Sequence, residues 1–548
     1  MRSPSPVLLS AASGILAGLA YCHASLQIQP VLMLVSYVPL LWAIVQSGDR
    51  GRTMVWPLYV CFFLYHGICN WWISSWQTQT DPYLMASGIA VWIVHPLLLV
   101  LPWLVLSRLT RVVSVDALLS IVPACVTAFE WLHGQTDFSY PWLTTGYAII
   151  DLPAAQVADT VGLYGLTCLI MIANVLAFRA IHRRTLGLSW RGSLGMFLGF
   201  CAVWTALGVL SRPSSHSDKT LSVAIVQPNI NPWDKWSAPS EQLRIHVSVT
   251  DSLYQSRRPA DVTVWSETAI PYVIRNYRYL GDWLSLRAWV DSTKTSLVTG
   301  FADMMVYPNG QAPASARSLA IDPGVKYDHF NAAMVLNPMQ RDVPVHQKTM
   351  LTPFAERLPF ADQLSFAMKW VEWGVGISAW GKGRERYPLP VVRNADTIAR
   401  IGTIICIESI YPDVARDMVN DGADVLAVIT NDAWYNGTWG PRQHYDIARM
   451  RAIEMRRPVI RCANSGVSGI IDADGASIME LPDMQRLAAI GTVRPGHELT
   501  FYARYGDWLP VVSLVITLFA VVVARFTPLL RILPASILRQ SSHNFQDA

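Results

Sequence analysis

Three short segments of this chain carry groups suited to covalent acyl chemistry. They are Trp265-Ser266-Glu267-Thr268, His346 to Phe354, and Ile404-Ile405-Cys406-Ile407-Glu408-Ser409. Each sets one reactive group near a break in an apolar run: Glu267, Lys348 and Cys406. The thiolate is the attacking form of cysteine and a free thiol titrates at about 8.5, so Cys406 needs a base or a cation beside it. A carboxylate can take the thiol proton, and an ammonium can stabilise first the thiolate and then the oxyanion of a tetrahedral intermediate. An acid, a cation and a thiol together therefore suit acyl transfer through a thioester. Taken one at a time the signals are not specific: a free Cys is most often a small buried hydrophobe, Glu267 reads equally as a capping or solvated residue, and Lys348 as a surface lysine.

The placement of Cys406 adds weight. It ends the run Ile401-Gly402-Thr403-Ile404-Ile405. A nucleophile at a strand end, before a turn into a helix, is held rigidly, and the backbone N–H of the next residue, here Ile407, can join an oxyanion hole. Cys462 lies between Arg461 and Ala463 with no acid nearby in sequence and is expected in the core. The other six cysteines lie in long apolar stretches. A Cys406–Cys462 disulfide is possible outside the cytoplasm but is disfavoured, because each residue ends its own strand pattern. There is no CxxC pair or zinc-ligand spacing, and the 12 His show no His-Glu-x-x-His pattern, so no metal is expected.

These groups need a scaffold, and most of the 548 residues are too apolar for an ordinary soluble one. Apolar residues make up 52% and charged residues 15%, against about 25% charged in soluble domains. A net charge of +4 is too small to argue for nucleic acid. Seven apolar stretches, near 7–22, 30–47, 54–75, 84–107, 115–133, 163–180 and 193–211, precede residue 213, and an eighth covers 508–526. Most approach the ~20 residues that span a bilayer. The loops around Arg2, Asp49–Arg52, Arg108–Arg111, Arg179–Arg191 and Arg525–Arg539 are basic, whereas 23–29, 76–83 and 134–162 lack Lys and Arg. This alternation predicts both termini in the cytoplasm and the 213–505 segment outside it. Glu130 sits in an apolar stretch, where an ionisable group is costly; it reads equally as functional or as capping or pairing with His133.

The 213–505 segment reads as α/β. Leu221–Val226, Val262–Trp265, Leu297–Gly300, Ala333–Leu336, Ile401–Ile405, Val425–Ile429 and Val459–Arg461 look like buried strands, and 240–257, 281–293 and 441–456 are helix-compatible. The expected organisation is seven membrane helices over 1–213, a catalytic domain over 214–505, an eighth helix over 506–528 and a cytoplasmic tail over 529–548.

The order Glu267, Lys348, Cys406, with its local wording, resembles the nitrilase (carbon–nitrogen hydrolase) superfamily. Seven apolar helices before such a domain and one after it resemble its membrane branch, the bacterial apolipoprotein N-acyltransferases. Further matching wording includes Gln227-Pro-Asn-Ile, Lys235-Trp236, Asn431-Asp432-Ala433-Trp434, Gln443-His444, Arg457-Pro458-Val459 and Asn464-Ser-Gly-Val-Ser468. In the membrane part Glu130-Trp131-Leu132, Pro141-Trp142 and Gly162-Leu-Tyr-Gly165 also fit. Three positions depart from the family's usual residues: Ala355 for Gly, Arg357 for an aromatic, and Ile407 for Tyr.

The resemblance implies an αββα nitrilase-like sandwich on about eight transmembrane helices of a bacterial inner membrane, facing the periplasm. It implies a ping-pong acyl transfer. Glu267 is the proton acceptor, Cys406 the nucleophile, and Lys348 with the Ile407 N–H holds the oxyanion. Glu356 and Glu408 support the site, and Trp236 contacts substrate. The implied partners are a phospholipid acyl donor, phosphatidylethanolamine by preference, and a diacylated apolipoprotein acceptor, with no cofactor or metal. Two other readings stay open: a membrane-tethered amidase or nitrilase with water as acceptor, and a non-enzymatic transporter with a periplasmic binding domain.

Overall fold

The computed structural model of the chain describes residues 4–22, 29–50, 53–74, 82–212, 219–235, 238–308, 310–319, 321–364 and 380–532. Five of its helices are long and apolar enough to cross a membrane: Leu84–Leu109, Val115–Gly134, Pro153–Thr185, Arg191–Leu210 and Trp508–Phe526. Three shorter apolar helices, Pro6–Tyr21, Val38–Gly48 and Val55–Cys69, pack with them. These eight correspond to the apolar stretches of the sequence.

One stretch departs from expectation. The 30–47 run is not one helix: Gln29–Leu32 ends, the chain turns, and a new helix starts at Val38. A break inside an apolar bundle leaves peptide groups without helical partners, and these must be satisfied from elsewhere. Buried Asn174 does this, accepting the Tyr37 N–H at 2.8 Å and donating to the Met33 carbonyl at 2.8 Å. A second break falls at Gly162, φ +68°. A Cβ there would lie 2.3 Å from the Tyr502 ring, and the freed Leu163 N–H is taken by the Glu454 carboxylate at 2.8 Å. Glu130 does not pair with His133. Its two oxygens accept from the Thr145 and Thr167 hydroxyls, each at 2.6 Å, while His133 Nε2 meets His95 Nε2 at 2.9 Å. The acid therefore ties two neighbouring segments together.

The 219–505 part contains thirteen strands among the described residues, in two sheets. They are β1 Leu221–Gln227, β2 Val262–Trp265, β3 Ser296–Tyr307, β4 Arg317–Leu319, β5 Asp322–Leu336, β6 Val345–Gln347, β7 Leu389–Arg393, β8 Asp396–Ile405, β9 Val425–Thr430, β10 Val459–Ala463, β11 Ser468–Ile471, β12 Ser477–Leu481 and β13 Leu487–Val493. The first sheet runs β13-β1-β2-β3-β5-β4, with β6 also on β5; the second runs β12-β11-β10-β9-β8-β7. Parallel triplets, β1-β2-β3 and β8-β9-β10, form the two centres. Strands covered on both faces read as continuous apolar runs rather than alternating ones, as Val425–Thr430 does.

The sheets pack face to face through Val223, Ile225, Val262 and Val264 on one side and Ile401, Ile405, Ile429 and Ile460 on the other. Helices Pro239–Ser256 and Leu280–Thr293 cover the outer face of the first sheet through Leu243, Leu286 and Val290. Helices Pro412–Asn420 and Gly440–Met455 cover the second. This is the αββα sandwich the sequence implied. The second helix layer also rests on the apolar bundle. Tyr147 donates to the Ile410 carbonyl at 3.1 Å, Trp142 Nε1 donates to Gln443 Oε1 at 3.0 Å, and Arg449 pairs with Asp151 at 2.7 Å.

Candidate active site

Parallel strands end together, so residues just past their carboxyl ends gather at one edge, where α/β sheets place their ligands. Glu267 follows β2 there. Its turn is tight: Thr268 has φ +43°, and the Gly300 N–H on β3 donates to the Ser266 carbonyl at 3.2 Å. A Cβ on Gly300 would come within 2.5 Å of the Thr268 nitrogen and 2.8 Å of the Glu267 Cα, so only glycine lets β3 pass this close. Buried Lys235 closes the other side, donating to the Glu267 carbonyl at 2.9 Å and to the Thr268 hydroxyl. Burial pulls the Lys235 ammonium down to about 8, against the opposing pull of Glu267 and Cys406.

Lys348 follows β6, with its N–H held by the Asn331 carbonyl at 2.8 Å. Its buried ammonium bridges two carboxylates, Glu267 Oε1 at 3.1 Å and Glu356 Oε1 at 2.9 Å. Asn331 Nδ2 donates to the same two oxygens at 2.7 and 3.1 Å. Glu356 Oε2 accepts from the Thr352 N–H and hydroxyl at 2.8 and 2.9 Å. Burial works against the charge on Lys348, but Glu267 and Glu356 overcome it and hold the ammonium well above its ordinary value. Burial would raise Glu356 too, but Lys348 and the other donors hold it low.

Cys406 follows β8 and opens the short turn Cys406–Ile410 ahead of helix Pro412–Asn420. Its φ is +52°, a strained conformation for a residue with a side chain, kept only where the surroundings over-determine it. Glu408 supplies part of that hold. One oxygen accepts the Ile405 N–H at 2.8 Å, and the other accepts the Thr349 N–H and hydroxyl at 2.7 and 2.8 Å. Glu408 thus ties the cysteine turn to the lysine loop. Burial alone would raise its pKa, but His346 and these backbone donors hold it at about 2. At Cys406 itself burial, then the Glu267 charge, pushes the thiol up, and Lys348 pulls it down. A thiol pushed up in this way needs a base beside it before it can serve as a nucleophile.

Glu267, Lys348, Glu356 and Glu408 are buried, and the partly buried Cys406 lies close enough for the charges of Glu267 and Lys348 to act on its thiol. Trp236 lies outside the described residues. Cys462 is core: its thiol sits between the sheets, 3.3 Å from the Val226 carbonyl and 3.2 Å from the Val264 carbonyl. Both it and Cys406 are free thiols. Arg357 turns away from the thiol, with Nη1 donating to the Trp380 carbonyl at 3.1 Å and Nη2 to Ser315 at 2.7 Å. Sequence reasoning missed Asn331, although a lone amide inside the apolar run Phe330-Asn-Ala-Ala-Met-Val is a readable sign of a buried polar contact.

Comparison with known proteins identifies the family of the chain. Residues 222–497 match the carbon-nitrogen hydrolase family, and residues 13–176 match the apolipoprotein N-acyltransferase N-terminal domain. The apolipoprotein N-acyltransferase of Chlorobaculum tepidum is 32% identical over 530 residues, covering 93% of this chain and 94% of that protein. The protein of the same name from Geobacter metallireducens is 30% identical over 520 residues, covering 91% of each. The chain belongs to the apolipoprotein N-acyltransferase family, with a carbon–nitrogen hydrolase domain between its apolar helices.

Proposed function

We propose that this protein moves an acyl chain from a phospholipid to the α-amino group of the N-terminal S-diacylglyceryl-cysteine of a lipoprotein, through a thioester on Cys406. The observation that carries the reading is the Lys348 ammonium bridging Glu267 and Glu356 beside a thiol in a strained turn. In the first half-reaction Glu267 takes the Cys406 proton and the sulfur attacks the ester carbonyl. Lys348 and the Ile407 N–H hold the developing oxyanion. The C–O bond breaks, and the lysophospholipid oxygen leaves with the proton from Glu267. In the second, the neutral amine attacks the thioester, Glu267 takes its proton, the C–S bond breaks, and the thiol is restored. Glu356 orients Lys348 and Glu408 sets the cysteine turn; Trp236 is the proposed substrate contact. Phosphatidylethanolamine is the proposed donor, and the chemistry uses no metal or cofactor.

The eight apolar helices and the alternation of basic and Lys/Arg-free loops support an eight-span inner-membrane protein with both termini cytoplasmic. The domains are then 1–213, 214–505, 506–528 and a cytoplasmic tail 529–548, with the catalytic domain in the periplasm. Both substrates are lipid-anchored, so lateral diffusion brings them to such a site. Intact mass spectrometry of the protein with phospholipid and no acceptor tests the reading. A mass gain of one acyl chain is expected, absent in Cys406→Ala and discharged by a diacylated lipopeptide. Discharge by water at the same rate would make the protein a hydrolase, and no adduct at all would end the thioester route.

A further inference from the structure

The nucleophile's own carbonyl has an unexpected holder. Cys406 stands in the left-handed region, where its C=O has left the β8–β9 ladder that ends at the Ile405–Ile429 pair. A carbonyl withdrawn from the ladder and partly shielded from solvent needs another donor. Ser409 Oγ lies 2.9 Å from it and His444 Nε2 lies 3.2 Å from it, with Ser409 Oγ and His444 Nε2 2.8 Å apart. His444 is buried on helix Gly440–Met455. Its Nδ1 meets Asp432 Oδ1 at 2.8 Å, and Asp432 is fixed in turn by Arg461 at 2.7 Å and the Thr430 hydroxyl at 3.0 Å. The Trp142 ring, from the apolar helical part, packs 5.2 Å from the imidazole. Ring Nδ1 therefore faces the Asp432 carboxylate, and ring Nε2 faces the Cys406 carbonyl and the Ser409 hydroxyl.

The Cys406 C=O and the Ile407 N–H belong to one planar peptide and point in opposite directions. Whatever fixes that carbonyl aims that N–H. A donor on the carbonyl also polarises the peptide and strengthens its N–H as a donor, as in a chain of hydrogen bonds. We infer that His444, held by Asp432, is a positioning residue that aims and polarises the Ile407 N–H toward the oxyanion. It acts through the Cys406–Ile407 peptide and touches no reacting atom. The inference rests on the proposed reading of Cys406 as nucleophile and of the Ile407 N–H as oxyanion donor.

The test separates oxyanion support from thiol reactivity. Alkylation of Cys406 by iodoacetamide needs the thiolate but forms no oxyanion, whereas thioester formation with phospholipid needs both. In the full-length protein in detergent, His444→Asn keeps a partner for Asp432 but is too short to reach the carbonyl. It should slow thioester formation by about 10- to 100-fold, less than the ~10²–10³ typical of deleting an oxyanion donor outright. Its alkylation rate should stay within about twofold. His444→Gln, whose amide can occupy the Nε2 position, should recover part of the acylation rate. Ser409→Ala, which removes the second donor from the same carbonyl, should show the same asymmetry more weakly and carries the test if the Asn variant does not fold. Equal loss of both rates would make His444 a general structural support and overturn the inference, as would unchanged acylation or a Gln variant no faster than Asn. Failure of the wild type to form any thioester would instead fail the underlying reading.

Discussion

At the scale of single residues, the proposed chemistry divides labour between one carboxylate that must change protonation and one cation that must not. Glu267 shares its Oε1 with Lys348 and Asn331, so the carboxylate is held in place by two donors. Glu267→Gln should keep these contacts but stop proton removal. Thioester formation should fall by about 10²-fold or more, read by intact mass, while Cys462→Ala, a change in the core between the sheets, should still form it. Rapid thioester build-up in Glu267→Gln would show that another base acts, Glu356 first. Lys348→Ala should lose about 10²–10³ in rate with little change in phospholipid binding. A loss confined to binding would contradict its role. Glu267, Lys348 and Cys406 were legible in the sequence because each stands where an apolar run stops. Asn331 stands out as a lone amide in an apolar run, but its partners were not legible, because they come from segments distant in sequence, Glu267 and Glu356.

At the scale of elements, what matters is how loops from different strands are tied. Glu408 links the end of β8 to the lysine loop through its two oxygens. Its folded carboxyl, at about 2, lies below the ~4.3 expected when unfolded. A carboxylate depressed in this way contributes stability that is fully present above about pH 4.3 and is lost as pH falls toward 2. The contribution is roughly 3 kcal/mol at neutral pH. Glu408→Gln should therefore lower the thermal midpoint at pH 7, and the gap from wild type should narrow as the pH drops from about 4.5 to 3. A gap constant across that range would deny the linkage. The central strands β2, β9 and β10 were readable because both faces are buried and their residues are mostly apolar, with only Thr263 and Arg461 interrupting β2 and β10. The outer half of β5 and the exposed edge strand β12 carry polar residues, and the outer half of β3 is apolar but partly exposed. Only pairing with a neighbour makes them strands, so periodicity alone did not reveal them.

At the scale of the whole molecule, the apolar bundle and the sandwich are joined by contacts no single segment predicts. Glu454 reaches from the catalytic domain to the peptide freed at Gly162, Arg456 pairs with Asp159 at 2.8 Å, and Trp142 lies against His444. The eight apolar stretches were visible as long runs with few charges, and five of the described helices they form are long and apolar enough to cross a membrane. The break at 33–37 was not, because the residue that satisfies it, Asn174, lies far away in the chain. The proposed side of the membrane for the sandwich rests on the loop charges. Basic loops alternate with loops free of Lys and Arg, and the basic ones stay in the cytoplasm. The long 213–505 segment does not vote, since large domains translocate largely regardless of charge. A reporter active only outside the cytoplasm, fused near residue 216, should be active, and the same reporter near residue 186 or 540 should be silent. The reverse pattern would put Cys406 in the cytoplasm, away from lipoproteins exported to the outer face of the membrane. The proposed acceptor would then have no route to the thioester, and the acyl-transfer reading would fall with the topology even if Cys406 still accepted an acyl chain.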